Sequence, residues 1–459
     1  MKSVDVLFIN PYWSKLGESI EHMGFAYMAA TLRKSGFSVV IADAPINSWN
    51  NEQTIENVKK YSPSIIGVSI PFQDGAEDAF ELIKMLGKNF TCHISLGGIY
   101  PTFEYESILR DYPEIDSIVL GEGEETILDL TDTVKNNLPL SSVSGLAIRQ
   151  NGKIIKTKMR PLVEDLDSLP FPERDTLPAV IKKVNFASIV SGRGCYGRCS
   201  FCSVDGFYSA FGPKLRLRSA KNVVDEMEML TGGYNVHNFM FNDANFIGGI
   251  GRGKERAFEI ADEILTRKIK CEFRIQCRAN DVDEDLFKKL KEAGLSRVYI
   301  GIESGSQPQL DRYRKDITVR ENMKALLILR NLGLFAKLGF IMFDRESNLD
   351  DLFNNINFIK TVKKMFDKDK LGYIYPISKL MPLSGSAAKD KLFNDGLLKG
   401  NYKNFSYDFK DKKIETIYNM MKKSSSFIWG IKSKIKSSKD TDSDWTGGWT
   451  KWDEKKVSE

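Results

Sequence analysis

The sequence predicts an α/β protein with an N-terminal Rossmann-like, doubly wound parallel sheet, followed by a partial (β/α)6 barrel of the TIM type and a small C-terminal extension. Two alternations and one interruption predict it. Short β-branched runs alternate with amphipathic stretches from residue 4 to 136, and a second alternation begins at 186. Between them lie four prolines (Pro161, Pro170, Pro172 and Pro178) in a stretch with little periodicity. The expected organisation is a first domain over 1–157, a linker over 158–185, a barrel over 186–390, a C-terminal segment over 391–431 and a tail over 432–459.

In the first domain, 4–9, 39–42, 65–70, 94–96 and 117–120 read as strands. Helical patterns fall at 20–35, 52–61, 74–88, 103–111 and 124–136. Strands this apolar, each followed by a helix, suit a parallel sheet covered on both faces. Asn151-Gly152, between two alternating runs, signals a hairpin that ends the domain. In the barrel, strand-like runs at 186–191, 238–242, 272–277, 297–302, 336–343 and 371–377 are separated by helical patterns at 219–231, 252–267, 283–293, 318–332 and 347–363. The tail is rich in Lys, Ser, Asp, Thr and Gly and reads as solvated or disordered, although Trp445, Trp449 and Trp452 also suit a docking segment.

The 459 residues are 42% apolar and 28% charged, enough to bury a real core. Lys and Arg number 66 against 61 Asp and Glu, a dispersed excess of +5 that argues against a nucleic-acid partner. No apolar run approaches the roughly 18 residues of a membrane span. The N-terminus leads straight into a strand pattern, so a cytoplasmic protein is expected.

Six cysteines are too few for a disulfide scaffold, yet Cys195, Cys199 and Cys202 fall in one loop after a strand. Soft thiolates so close together favour zinc or an iron-sulfur cluster. A structural zinc site wants four ligands, and the other cysteines and the three histidines are distant in sequence. Three ligands leave one metal position open for a substrate or cofactor.

A CxxxCxxC loop after the first strand of a partial barrel resembles the radical S-adenosylmethionine (SAM) superfamily. The resemblance implies a [4Fe–4S] cluster on Cys195, Cys199 and Cys202, whose unique iron chelates SAM and releases a 5′-deoxyadenosyl radical. It also places Phe201 beside the adenine. Gly301-Ile302-Glu303-Ser304-Gly305, ending the fourth barrel strand, resembles the motif that contacts the ribose and methionyl end of SAM, through Glu303 and Ser304. An ordinary turn is the other reading. Arg278 shares a strand face with Arg274 and Gln276 and suits either the SAM carboxylate or a structural salt bridge. Gly339-Phe340-Ile341 resembles the adenine-packing element, with Ile341 in contact, though any buried strand reads that way.

Open parallel sheets bind ligands at the carboxyl ends of their strands. Here those loops hold Asn10-Pro11-Tyr12, Gly97-Gly98-Ile99-Tyr100-Pro101-Thr102 and Gly121-Glu122-Gly123-Glu124, with no G-x-G-x-x-G or P-loop. Such a domain directly before a radical SAM barrel resembles the cobalamin-binding class of that superfamily. The resemblance implies a cobalamin site at Asn10, Ser69, Gly97, Gly98, Tyr100, Gly121 and Glu122. Tyr100 stands where that class often has histidine, and the D-x-H-x-x-G signature of an axial histidine is absent. A degenerate domain that only packs on the barrel is the alternative.

The pairing implies a cobalamin-dependent radical methyltransferase acting on an unactivated carbon, with an external electron donor such as flavodoxin or ferredoxin. Ring closure, rearrangement or oxidation by the same architecture, and a non-catalytic cobalamin or redox sensor, are the alternatives. The substrate is not readable. Tyr373, Tyr375 and the turn at 381–386 are the residues that would border it or simply pack.

Overall fold

The computed structural model describes residues 2–12 and 20–435. Most of the predicted tail, including its three tryptophans, lies outside the described residues. The first sheet has seven strands: β1 (Lys2–Asn10), β2 (Val39–Asp43), β3 (Tyr61–Ser69), β4 (His93–Gly97), β5 (Ser117–Val119), β6 (Leu146–Gln150) and β7 (Lys153–Lys156). Their order is β2-β1-β3-β4-β5-β6-β7, with the first five strands parallel and the last two antiparallel. The predicted hairpin therefore extends the sheet. Its turn residues Asn151 and Gly152 have φ of 51° and 73°, the left-handed pair that a tight hairpin of this twist requires.

Both faces of this sheet are buried. Leu7 and Ile9 of β1 join one apolar cluster and Val6 and Phe8 the other, and Ile66 and Ile65 of β3 divide likewise. The faces are covered by α1 (Met23–Lys34), α2 (Ala44–Asn47), α3 (Asn51–Val58), α4 (Ala76–Asn89), α5 (Ile99–Asp111) and α6 (Glu124–Lys135). The chain reverses its direction of strand addition between β1 and β3, and the crevice of such a sheet opens at that switch.

Residues 158–185 lack periodicity in sequence but hold α7 (Leu177–Val184), whose Leu177 and Val180 are fully buried. Pro178 stands in the first turn of α7, where a missing amide hydrogen costs nothing. Arg174, just before α7, donates to Glu21 Oε2 at 2.8 Å and to Glu226, and Arg218 donates to Glu226 Oε2 at 2.5 Å. All four side chains are at most 3% exposed.

The barrel sheet is parallel, in the order β8 (Ala187–Ile189), β11 (Asn238–Phe241), β12 (Glu272–Arg278), β13 (Leu295–Glu303), β14 (Phe335–Phe340). A separate antiparallel ribbon pairs β9 (Gly192–Gly194) with β10 (Leu215–Leu217). The expected sixth strand at 371–377 is reduced to single parallel bridges, Ala336 with Leu371 and Phe343 with Lys379. Ile374 is buried there while Tyr373 and Tyr375 are about half exposed, so the segment is anchored on one side only. The outer layer comprises α8 (Ser203–Ser209), α9 (Ala220–Tyr234), α10 (Arg252–Thr266), α11 (Glu284–Glu292), α12 (Gln307–Arg312), α13 (Val319–Asn331) and α14 (Leu349–Met365). Residues beyond 386 form α15 (Ala387–Asn394) and α16 (Lys412–Ile435). No helix among the described residues is long and apolar enough to cross a membrane.

Candidate functional site

A cavity of about 470 Å³ lies between the carboxyl ends of the two sheets. On the first sheet it is bordered by Ser69 at the end of β3, Gly97 at the end of β4 with Gly98 after it, and Gly121 after β5. On the barrel it is bordered by Arg193 of β9, Tyr208 of α8, Asn242 after β11 and Gln276 of β12. The loop sequences allow the close approach. Gly98 has φ of 120°, and a Cβ there would lie 2.4 Å from the Ile70 carbonyl oxygen. A Cβ at Gly97 would meet protein only at Val119, 3.8 Å away, so this position leaves room beside the cavity.

The hydroxyls of Ser69 and Tyr208 make no hydrogen bond to another described residue, which leaves them available to a ligand. His22 also borders the cavity. Its Nδ1 accepts from the Phe25 amide at 3.1 Å as the N-cap of α1, and burial lowers the imidazole to about 4, so the ring is neutral. His22, Tyr208 and Asn242 were not legible as cavity residues. The one available signal was that a polar residue before the 23–34 periodicity caps a helix.

Two residues of the predicted cobalamin set do not border the cavity. Asn10 donates through Nδ2 to Asp43 Oδ2 at 3.1 Å and is buried. Tyr100 is the second residue of α5, a helix that begins four positions earlier than its periodicity indicates. Its ring is buried in the core beside Phe80, and its hydroxyl donates to the Tyr402 carbonyl at 3.0 Å. Glu122 borders the cavity but is already committed. It accepts from Arg193 at 2.9 Å, from both Nη atoms of Arg216 at 2.8 Å and from the Val163 amide at 3.0 Å. Burial opposes its charge, but Arg216 and Arg193 more than offset this and hold the carboxyl below its ordinary value. Glu124 accepts the other arm of Arg193 at 2.6 Å. The Gly-Glu-Gly-Glu loop is thereby bonded to the strand that leads into Cys195.

The ribbon β9–β10 holds both ends of the cysteine loop. Gly194 has φ of 87° and no room for a Cβ, which would overlap the Lys214 carbonyl oxygen. Within the loop, the Cys202 amide donates to the Cys199 carbonyl, and Ser200 bonds the carbonyls of Arg312 and Tyr313. The Gly197 amide donates to Cys195 Sγ at 3.4 Å, and Arg278 Nη1 donates to Cys199 Sγ at 3.0 Å. Burial raises the thiols of Cys195 and Cys202, the latter to about 11. Among the described residues no three His, Cys, Asp or Glu side chains converge on a point that would hold one ion. Three cysteines in one loop, with the Gly197 amide and the Arg278 guanidinium donating to two of their sulfurs, fit an anionic iron-sulfur cluster.

Neither the three cysteines nor the remaining predicted residues, Phe201, Arg278, Glu303, Ser304 and Ile341, are among those that border the cavity. Phe201 is half-buried and meets the Tyr313 ring edge-on at 5.6 Å. Glu303 ends β13 at φ of 63°, accepts from Lys315 Nζ at 3.0 Å, and offers its carbonyl to the Ile341 amide at 2.7 Å. The Glu303 carboxylate is thus paired with the Lys315 ammonium. Ser304 is fully buried in a network with Gln309, Asn355 and the Ser306 amide. Its hydroxyl is thus committed inside the barrel wall.

The sequence matches the family model for the radical SAM superfamily over residues 189–359 and that for the B12 binding domain over 10–131. PH0819 of Pyrococcus horikoshii, named an uncharacterized methyltransferase, is 28% identical over 389 residues and 83% of each chain. The anaerobic magnesium-protoporphyrin IX monomethyl ester cyclase of Rubrivivax gelatinosus is 31% identical over 365 residues, covering 73% of this chain and 62% of that one. Among solved structures, the cobalamin-dependent SAM radical enzyme OxsB, with aqua-cobalamin and SAM bound, superposes with a TM-score of 0.80. It covers 95% of this chain and 69% of that one at 23% identity, a likeness of fold. The cofactors of this class are a [4Fe–4S] cluster, SAM and cobalamin. With both domains matched in order and the cavity set between them, the chain belongs to the cobalamin-binding radical SAM enzymes.

Proposed function

We propose that this enzyme transfers a methyl group to an unactivated carbon. The observation that carries the proposal is a cavity bordered by both domains, with Arg193 and Gly194, which lead into the cysteine loop, and Tyr208 of α8 on one side and the glycine loops of the first sheet on the other. When bound, the cluster and SAM supply the 5′-deoxyadenosyl radical, and cobalamin supplies the methyl group. The chain's own part is to bring these sites together and exclude water, with an apolar wall that includes Phe8, Phe25, Val119 and Phe207.

In this reading Cys195, Cys199 and Cys202 hold the cluster, and Phe201 and Ile341 flank the adenosyl group. Glu303 exchanges Lys315 for the ammonium of SAM. Ser69, Gly97, Gly98 and Gly121 border cobalamin. The division at 157 and 185 separates the cofactor domains, and a one-electron donor of the flavodoxin or ferredoxin type, in the cytoplasm, reduces the cluster. Relatives named as methyltransferases support methyl transfer, including the cytidylyl-2-hydroxyethylphosphonate methyltransferase of Streptomyces wedmorensis at 26% identity. The cyclase of Rubrivivax gelatinosus, at 31%, supports ring closure as the second reading.

The test is mass spectrometry of an anaerobic reaction of the reconstituted protein with cobalamin, SAM and a strong reductant. Methyl transfer yields both 5′-deoxyadenosine and S-adenosylhomocysteine. 5′-Deoxyadenosine without S-adenosylhomocysteine turns the assignment to the cyclase reading.

A further inference from the structure

Arg278 reaches into the cysteine loop from the end of a barrel strand, and Asn245 stands nearby in the loop after another. Arg278 ends β12 and is 6% exposed. Its Nη1 donates to Cys199 Sγ at 3.0 Å, its Nη2 donates to the Lys315 carbonyl, and its Nε donates to Asn280 Oδ1 at 3.2 Å. The Tyr196 ring lies under the guanidinium, 5.3 Å from its carbon. All three nitrogens are thus engaged, and the outer fork that a carboxylate would grip bidentately is shared between a sulfur and a backbone oxygen.

Asn245, after β11 and 1% exposed, lies near Cys195. Its Nδ2 donates to Asp281 Oδ2 at 2.7 Å and its Oδ1 accepts from the Gly248 amide at 3.3 Å. The same Asp281 accepts from the Tyr196 hydroxyl at 2.6 Å. One buried carboxylate therefore anchors both Asn245 and the ring beneath Arg278.

From this geometry we infer that Arg278 tunes the iron-sulfur cluster by donating to the sulfur of Cys199, with Asp281 holding the Tyr196 ring beneath the guanidinium. The inference rests on the cluster assignment made above. Reduction adds one negative charge to the cluster. A buried guanidinium aimed at one of its sulfurs stabilises that charge and raises the reduction potential. The consequence is a cluster within reach of a protein one-electron donor. Arg278 is on this account a positioning and tuning residue, and the SAM carboxylate is held elsewhere.

The test uses the full chain, reconstituted anaerobically with iron and sulfide, as wild type, Arg278→Met and Arg278→Lys. Three quantities are read: iron per chain, the midpoint potential from a titration followed by electron paramagnetic resonance, and the SAM dissociation constant by calorimetry. Arg278→Met is expected to keep its iron, to shift to a lower potential, and to change SAM affinity less than about threefold. Arg278→Lys shifts less in the same direction, because it retains the charge without the planar fork. An unchanged potential with SAM affinity down by about tenfold or more overturns the inference and returns Arg278 to the carboxylate. Should Arg278→Met lose its iron, Arg278→Lys decides: a lowered potential upholds the inference and an unchanged one overturns it. A wild-type chain that takes up no iron fails the cluster assignment itself, and the inference with it.

Discussion

The two sides of the site, the cavity wall from the first sheet and the wall of protein around the cysteine loop, are built by opposite means. The first is shaped by omission, since glycines at the ends of β4 and β5 leave room. The second is shaped by addition, since Arg278 and the Gly197 amide each aim a donor at a sulfur. A large neutral macrocycle asks for space, whereas a small anionic cluster asks for placed positive charge. Between them, Glu122, Glu124, Arg193 and Arg216 join the walls through buried ion pairs.

The sharpest way to break this comparison is Cys195→Ala. Cluster iron and 5′-deoxyadenosine formation should both be lost while cobalamin uptake, read from the visible spectrum, persists. Loss of both cofactors would show that the walls are not independent. Next is Glu226→Ala, which leaves Arg174 and Arg218 buried without their shared carboxylate and should cost about 3–5 kcal/mol in chemical denaturation. Gly98→Ala puts a Cβ against the Ile70 carbonyl at a positive φ and should cost about 3 kcal/mol, with cobalamin uptake falling alongside.

The pH dependence comes next in size. His22 is held at about 4 against an ordinary 6.5, so the folded chain binds fewer protons than the unfolded one between those values. Stability should therefore be lost as pH falls from 6.5 towards 4, by about 2 kcal/mol, and His22→Asn should flatten that slope while keeping a helix cap. A slope identical to wild type would remove His22 from the account. The smallest stability effect belongs to Gly97→Ala, about 0.5 kcal/mol or less, because its Cβ meets only Val119. Cobalamin affinity should nevertheless drop, and an unchanged affinity would mean that the corrin lies away from β4.

The alternation of buried strands and amphipathic helices made both sheets legible, since their periodicity is local. Residues 371–377 misled because Ile374 and its flanking tyrosines alternate as a strand does, whereas only Leu371 and, beyond the run, Lys379 bridge to the barrel. The helix α7 escaped because prolines obscure a short pattern. In the site, the three cysteines were legible because their spacing is itself the chemistry. Tyr100 and Glu122 were not, because what commits them is far off in sequence: the Tyr402 carbonyl in one case, Arg193 and Arg216 in the other. Arg278 stood out as a candidate, but its partner, Cys199, is 79 residues away.

The β9–β10 ribbon bears on how the holoenzyme is made. By clasping residues 194 and 215 it closes the cysteine loop through strand pairing, and closing a free loop of that length costs roughly 2–3 kcal/mol of chain entropy. That cost is met by backbone pairing within the protein. The ends of the loop that presents the three thiols are thereby fixed by the fold itself, and a cluster bound there would need to order only the residues between them.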